Sequence, residues 1–215
     1  MACGRGSIVS IVEVKTRPRG SYAKSAAIRQ RVLDACVEAF GISGFFGATM
    51  KDIAARAGIS HTGLLHHFPT KESLLSAVLT YRDERSTKVF EGALEQLGST
   101  PENNVRSMLA AVAANELEPG LAALHSTLSA EATTPDHPAH DYFQHRYQKL
   151  RVHYEASFKD MADRGLLLTS MTPRFLARTF IALLDGLQVQ WLYEQDTFRM
   201  EDVIEEFLTS ISRQP

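Results

Sequence analysis

The chain has 215 residues, 44% of them hydrophobic and 22% charged; it can hold one or two domains with a substantial core, and its apolar content is that of a globular protein. Cys3 and Cys36 provide no disulfide framework, and the apolar stretch at residues 8–14 is broken by Ser10 and Glu13 and carries no convincing signal-peptide cleavage site, so disulfide-built and membrane-spanning classes are excluded and a cytoplasmic chain is expected. Residues 1–75 hold ten Lys or Arg against five Asp or Glu, and residues 76–215 hold thirteen against twenty, which is +5 against −7 for the overall −2; a basic part favours phosphate, while an acidic remainder repels a duplex and keeps orientation fixed.

Residues 1–23 form a glycine- and basic-rich lead without helical period. Arg17, Arg19 and Lys24 flank Pro18 and Gly20, which suits a flexible arm entering the minor groove, or else a disordered tail or an overlong translation start. Over residues 24–40, Ile28, Val32, Ala35, Cys36, Ala39 and Phe40 recur at three- and four-residue steps, the pattern of one amphipathic helix. The chain is organised around residues 49–75. Thr49 can cap a helix over residues 50–57, whose Ile53, Ala54 and Ala57 make an apolar stripe. Gly58 can leave right-handed geometry at low steric cost, Ile59 can plug the angle, and Ser60 restarts the chain as the next N-cap. The helix over residues 61–68 offers Leu64, Leu65 and Phe68 for packing and leaves His61, Thr62, Gly63 and His66 outward.

This is helix-turn-helix grammar, in which the second helix enters the DNA major groove and the first crosses the backbone. Histidine and threonine both donate and accept hydrogen bonds at base edges, and a glycine permits close approach. Residues 31–79 then closely resemble the DNA-binding domain of the TetR family of bacterial transcriptional regulators. The matching features are Phe40 and Gly44 ahead of Ala48-Thr49, then Asp52-Ile53-Ala54, Ala57-Gly58-Ile59-Ser60, the run from Leu64 to Phe68, and Lys71-Glu72 before Leu74-Leu75. The resemblance implies a homodimer, usually a repressor, that binds a double-stranded DNA operator and is released by a small-molecule effector. It also implies a phosphate contact from Lys71. Where the family commonly has a DNA-touching tyrosine, this chain has Leu65. The expected base-edge residues are His61, Thr62, Gly63 and His66, with Leu65 beside them and Ser60 at the cap; Thr49, Lys51, His67 and Lys71 are the expected phosphate or positioning contacts.

Beyond the break at Pro69-Thr70, Thr70 can cap a connector helix from residue 71 to about 97 that runs through Leu74, Val78, Tyr81 and Arg85. The expected division is an arm at 1–23, a DNA-binding domain at 24–70 and an effector and dimerisation domain at 71–215. Within the last, helical pattern covers residues 101–116, breaks at Pro119-Gly120, resumes over 121–132 and yields to a polar loop at 133–137. Two longer helices follow, striped by Phe143, Tyr147, Leu150, Tyr154, Phe158 and Met161 up to Gly165, and by Leu176, Phe180, Leu183, Leu187 and Trp191 after Pro173. Ala182 and Gly186 lie on another part of the second, where a neighbouring helix could come close. A last helix spans residues 200–211. The expected fold is all-α.

TetR-like proteins pair their two C-terminal helices across a two-fold axis, so Phe158, Leu183, Leu187 and Trp191 are the expected interface. A ligand pocket is expected among the central helices, with Met108, His125, Leu128, Tyr142, Phe143, His145, Arg146 and Tyr147 as candidates, and an inward Arg146 favouring an anionic effector. His137, His140, Asp141 and His145 do not share one helical face, so no metal and no cofactor is expected. There is no G-x-S-x-G elbow, phosphate-cradling glycine loop or H-E-x-x-H motif, which argues against an enzyme. The remaining alternative is a helical interaction module that has kept the shape without reading DNA, for which Leu65 is the support.

Overall fold

The structure, a computed structural model, describes residues 19–213. Nine helices make up the fold among the described residues: α1 (Arg19–Gly47), α2 (Met50–Arg56), α3 (His61–His67), α4 (Lys71–Leu97), α5 (Pro101–Glu116), α6 (Pro119–Glu131), α7 (His140–Asp163), α8 (Pro173–Tyr193) and α9 (Met200–Ile211). A single antiparallel bridge joins Leu167 to Ser212, so the all-α expectation holds. Among the described residues no helix is long and apolar enough to cross a membrane.

Local chemistry sets most helix boundaries. Thr49, Ser60, Thr70, Thr100 and Thr172 each accept a first-turn N–H through the side-chain oxygen, and Thr70 forms a reciprocal box with Ser73. Pro119 stands at the start of α6 rather than breaking the chain before it, because proline's missing N–H is no loss in a first turn. α1 also differs from expectation. It begins at Arg19, ahead of residue 24, and passes Phe40 to reach Gly47. Gly44 interrupts it with φ 67° and ψ −178°, a conformation essentially confined to glycine. Of the expected arm, residues 1–18 lie outside the described residues.

Two hydrophobic cores result. The first joins Val32, Cys36 and Phe40 of α1 to Ile53, Leu64 and Leu75 of the helix-turn-helix region, and also takes in Leu124 and Leu128 of α6. α6 can approach α1 closely because Gly41 has no side chain. A Cβ there would stand 3.2 Å from the Leu124 backbone nitrogen, and the Thr127 hydroxyl donates to the Gly41 carbonyl at 3.0 Å. The second core gathers Tyr154 and Phe158 of α7, Phe180 and Trp191 of α8, and Ile204 and Leu208 of α9. Tyr147 packs against both cores.

The residues expected at a dimer interface lie against the protomer's own core. Phe158 is 0% exposed, Trp191 4% and Leu187 6%, and half-buried Leu183 packs on the same core. Phe158 of α7 and the Leu183, Leu187 and Trp191 stripe of α8 are turned into the protomer, where they fill its own core. Phe175, Ala182, Val189 and Tyr193 follow the same helical period on the opposite face and are exposed, and a Cβ on Gly186 would meet nothing within 4 Å.

Candidate functional site

The reading head is built by short-range hydrogen bonds. The Thr49 hydroxyl accepts the Asp52 N–H at 3.2 Å and donates to the Asp52 carboxylate at 2.6 Å. At the end of α2 the Gly58 N–H donates to Ala55 and the Ile59 N–H to Ala54, at 3.1 and 3.0 Å, with Gly58 at φ 66°. This paired closure turns the chain sharply. The Ser60 hydroxyl accepts the Gly63 N–H at 3.0 Å and starts α3, whose Leu64 is fully buried.

That anchoring fixes what α3 presents. His61, Thr62 and His66 are exposed, and Gly63 and His67 are half-exposed. Leu65, expected to help pack the helix, is 38% exposed and belongs to the outward group, since one buried leucine suffices for so short a helix. Lys51 and Thr49 are exposed on the flank. Lys71 is drawn back toward the end of α1. Its ammonium lies 4.6 Å from the Phe45 ring centroid and 3.5 Å from the Phe46 carbonyl, and partial burial lowers its pKa.

A second site lies between the two cores, a cavity of about 240 Å³ bounded by α4, α5, α6, α7 and α8. It is at or just below the small end of the ~300–1,000 Å³ range of ligand pockets. Arg146 donates to the Asp83 carboxylate at 2.5 Å. His125 lies 3.2 Å from Asp185, which also accepts the Tyr147 hydroxyl at 2.8 Å. Burial, reinforced by Arg82 nearby, lowers the His125 pKa to about 4, so its ring is neutral and Nε2–H donates. Burial alone would raise the pKa of Asp185, but the bonds from His125 and Tyr147 outweigh it and hold it low. Arg82 is 4% exposed; burial and the neighbouring Arg146 lower its pKa only to about 10, so it is charged at neutral pH.

The expected pocket residues divide. Met108, His125 and Arg146 line the cavity. Leu128 and Phe143 are buried in the first core, Tyr142 packs edge-on to Phe143 at 5.0 Å, and His145 is exposed. Tyr147 reaches the site only through its hydrogen bond to Asp185. Sequence reasoning missed Arg82, Asp83 and Asp185. A signal was present: Arg82 lies seven residues after Leu75 and three after Leu79, in phase with the buried stripe of α4. The other histidines are held apart. His137 packs between Phe45 and Phe46, the His140 ring meets the Ala132 carbonyl, and the His145 ring meets the Asp141 carbonyl.

A helix-turn-helix head whose core is shared with a helical body, over a polar-lined cavity, defines the class of helical DNA-binding regulators. The family model described as bacterial regulatory proteins, tetR family, matches residues 32–78. The model of the BetI-type transcriptional repressor C-terminal domain matches residues 101–213, more than half of the chain. The chain belongs to the TetR family. It is similar to the HTH-type transcriptional regulator RutR of Escherichia coli (strain K12), 44% identical over 66 residues, a match that covers 31% of this chain and 31% of that relative. The fold is that of a TetR-family regulator from Agrobacterium tumefaciens, with TM-score 0.73 and 19% identity over 87% of this chain and 99% of that one. A transcriptional regulator from Saccharomonospora viridis in complex with choline shares it, with TM-score 0.69 and 18% identity over 88% and 100% of the two chains.

Proposed function

We propose that the chain is a repressor that acts in the cytoplasm, binds a palindromic operator in double-stranded DNA as a homodimer, and releases it when a small molecule fills the cavity. The observation that carries the reading is the outward face of α3, where His61, Thr62 and His66 stand exposed on a helix anchored by buried Leu64. Those side chains meet base edges, while Lys51 and Thr49 hold the flanking backbone. Lys71 contacts phosphate once its side chain leaves the Phe45 ring. The family and the RutR similarity support a regulator over an enzyme.

The second copy docks on the exposed stripe of Phe175, Ala182, Val189 and Tyr193 with half-buried Gly186 between them, where small residues let two helices approach. Two recognition helices then meet grooves about 34 Å apart. α6 provides the link to the cavity. It holds His125 in the cavity wall while Leu124, Thr127 and Leu128 of the same helix rest on α1. A ligand that displaces His125 therefore moves the reading head, and the operator spacing is lost. The structure of the Saccharomonospora regulator with choline supports a small-molecule site in a fold of this kind.

The test is selection of fragments of the source genome by the purified protein, followed by sequencing. Enrichment of an inverted repeat is expected, and the neighbouring genes then narrow the effector. Retention of nothing, before and after refolding to strip bound ligand, would favour the interaction-module reading.

A further inference from the structure

We propose that the cavity takes a small organic monoanion, a carboxylate with an apolar body, and that Arg82 holds its charge. The inference rests on reading the cavity as the effector site and names the chemistry of the effector.

Among the described residues, eight buried side-chain nitrogens and oxygens have no hydrogen-bond partner, and five of them belong to residues lining this cavity: Nε and Nη1 of Arg82, Nε of Arg146, Nδ1 of His125 and the Tyr154 hydroxyl. In the Nε2–H tautomer Nδ1 of His125 accepts, so four of the five are unmatched donors; buried polar groups are paired almost everywhere in folded proteins, and this concentration of donors points to an accepting partner. The kind of partner follows from the charges. Asp83 is committed to Arg146 at 2.5 Å and lies 3.8 Å from Arg82, beyond hydrogen-bonding distance. Asp185 is occupied by His125 and Tyr147. Arg82 is left buried and charged, sharing the Asp83 carboxylate with Arg146 and with two nitrogens lacking a hydrogen-bond acceptor. A water would accept one bond, whereas a carboxylate accepts from two guanidinium nitrogens at once and adds charge where two arginines share the one Asp83 carboxylate.

The same walls set the rest of the molecule. Arg82, Ser86 and Phe90 follow at four-residue steps on α4, which places Phe90 about 12 Å along the helix from the arginine. Met108, Leu150 and Leu184 also line the cavity and present apolar surface. The ligand therefore has its anionic group at Arg82 and an apolar chain or ring reaching toward Phe90. The nearby carboxylates of Asp83 and Asp185 disfavour a dianion, which separates a carboxylate from a phosphate ester.

The experiment measures thermal shifts and calorimetric affinities of the full chain with straight-chain carboxylates from acetate to decanoate, benzoate and phenylacetate. The matching primary amides, phenyl phosphate and choline are the comparison probes. At least one carboxylate is expected to bind ten times more tightly than its amide and than choline. Arg82→Gln should cut that affinity at least tenfold, Arg82→Lys less, and Arg82→Gln should leave the ligand-free melting temperature unchanged or higher because a buried charge with unmet hydrogen bonds is gone. Should Arg82→Gln fail to fold, the acid-to-amide ratio on the unaltered protein decides by itself. Tighter binding of amides, choline or phenyl phosphate would overturn the monoanion while leaving the cavity as an effector site. Binding of no probe would overturn the monoanion, and insensitivity of operator binding to carboxylates that do bind would overturn the effector reading instead.

Discussion

Replacing Gly44 by alanine tests how α1 is joined to the rest of the protein. Gly44 adopts φ 67° and ψ −178°, where a side chain costs about 1–3 kcal/mol. Its missing Cβ is also filled space, because an added carbon would collide with the Glu131 carboxylate. That carboxylate accepts the Phe45 N–H at 2.7 Å and is itself half-buried. Forcing it aside forfeits a charge-assisted bond worth about 1.5–3 kcal/mol. Gly44→Ala should therefore destabilise by roughly 3–5 kcal/mol, and the melting temperature should drop on the order of 10 °C. Urea unfolding followed by far-ultraviolet circular dichroism reads this as a lower midpoint at unchanged slope. Glu131→Ala alone should cost only the hydrogen-bond part, and the double variant should be less damaged than the two losses combined, since the collision partner is gone. A loss for Gly44→Ala under about 1 kcal/mol would mean that the backbone rearranges freely there, and the account of this joint would be wrong.

Three further outcomes follow from the same geometry. On the reading head, Lys51→Ala should weaken binding about equally across DNA sequences and reduce the salt slope by about one, whereas Thr62→Ala should cost about 1–3 kcal/mol at particular bases and relax sequence choice; equal loss on all sequences for Thr62→Ala would remove it from the base contacts. On α8, Val189→Asp with Tyr193→Asp should give monomers by sedimentation equilibrium with the helical content kept, and an intact dimer would place the interface elsewhere. In the cavity, burial depresses the His125 pKa to about 4 from an ordinary value near 6.5. The unfolded chain therefore binds the proton more readily. The associated stability is present above about pH 6.5 and lost as pH falls toward 4, roughly 3 kcal/mol in all. Burial shifts His153 in the same direction, so the measure is the difference between the unaltered protein and His125→Phe, which should melt with a flatter pH profile over that window.

The parts that reasoning from residue order could reach are those whose physics is local. Thr49, Ser60 and Thr70 each cap a helix by bonding an N–H three residues on, and Gly58 closes α2 through bonds to the preceding turn. Those interactions need no distant partner, so the helix-turn-helix and its outward face are written in a few consecutive residues. The sequence by itself therefore determined the reading head, the all-α class and most helix boundaries.

The cavity and the division of α8 into inner and outer faces were decided by tertiary structure alone. Asp83 of α4 meets Arg146 of α7, and His125 of α6 meets Asp185 of α8, so their roles depend on the relative rotation of packed helices. On α8 both faces are apolar, with Phe180 and Leu187 on one and Phe175 and Val189 on the other. Helical period shows that two stripes exist, but it does not say which one the protomer buries. That choice is made by what packs against the helix: α7 and α9 place Phe158, Ile204 and Leu208 in the core with Phe180 and Trp191, and the opposite stripe is left exposed.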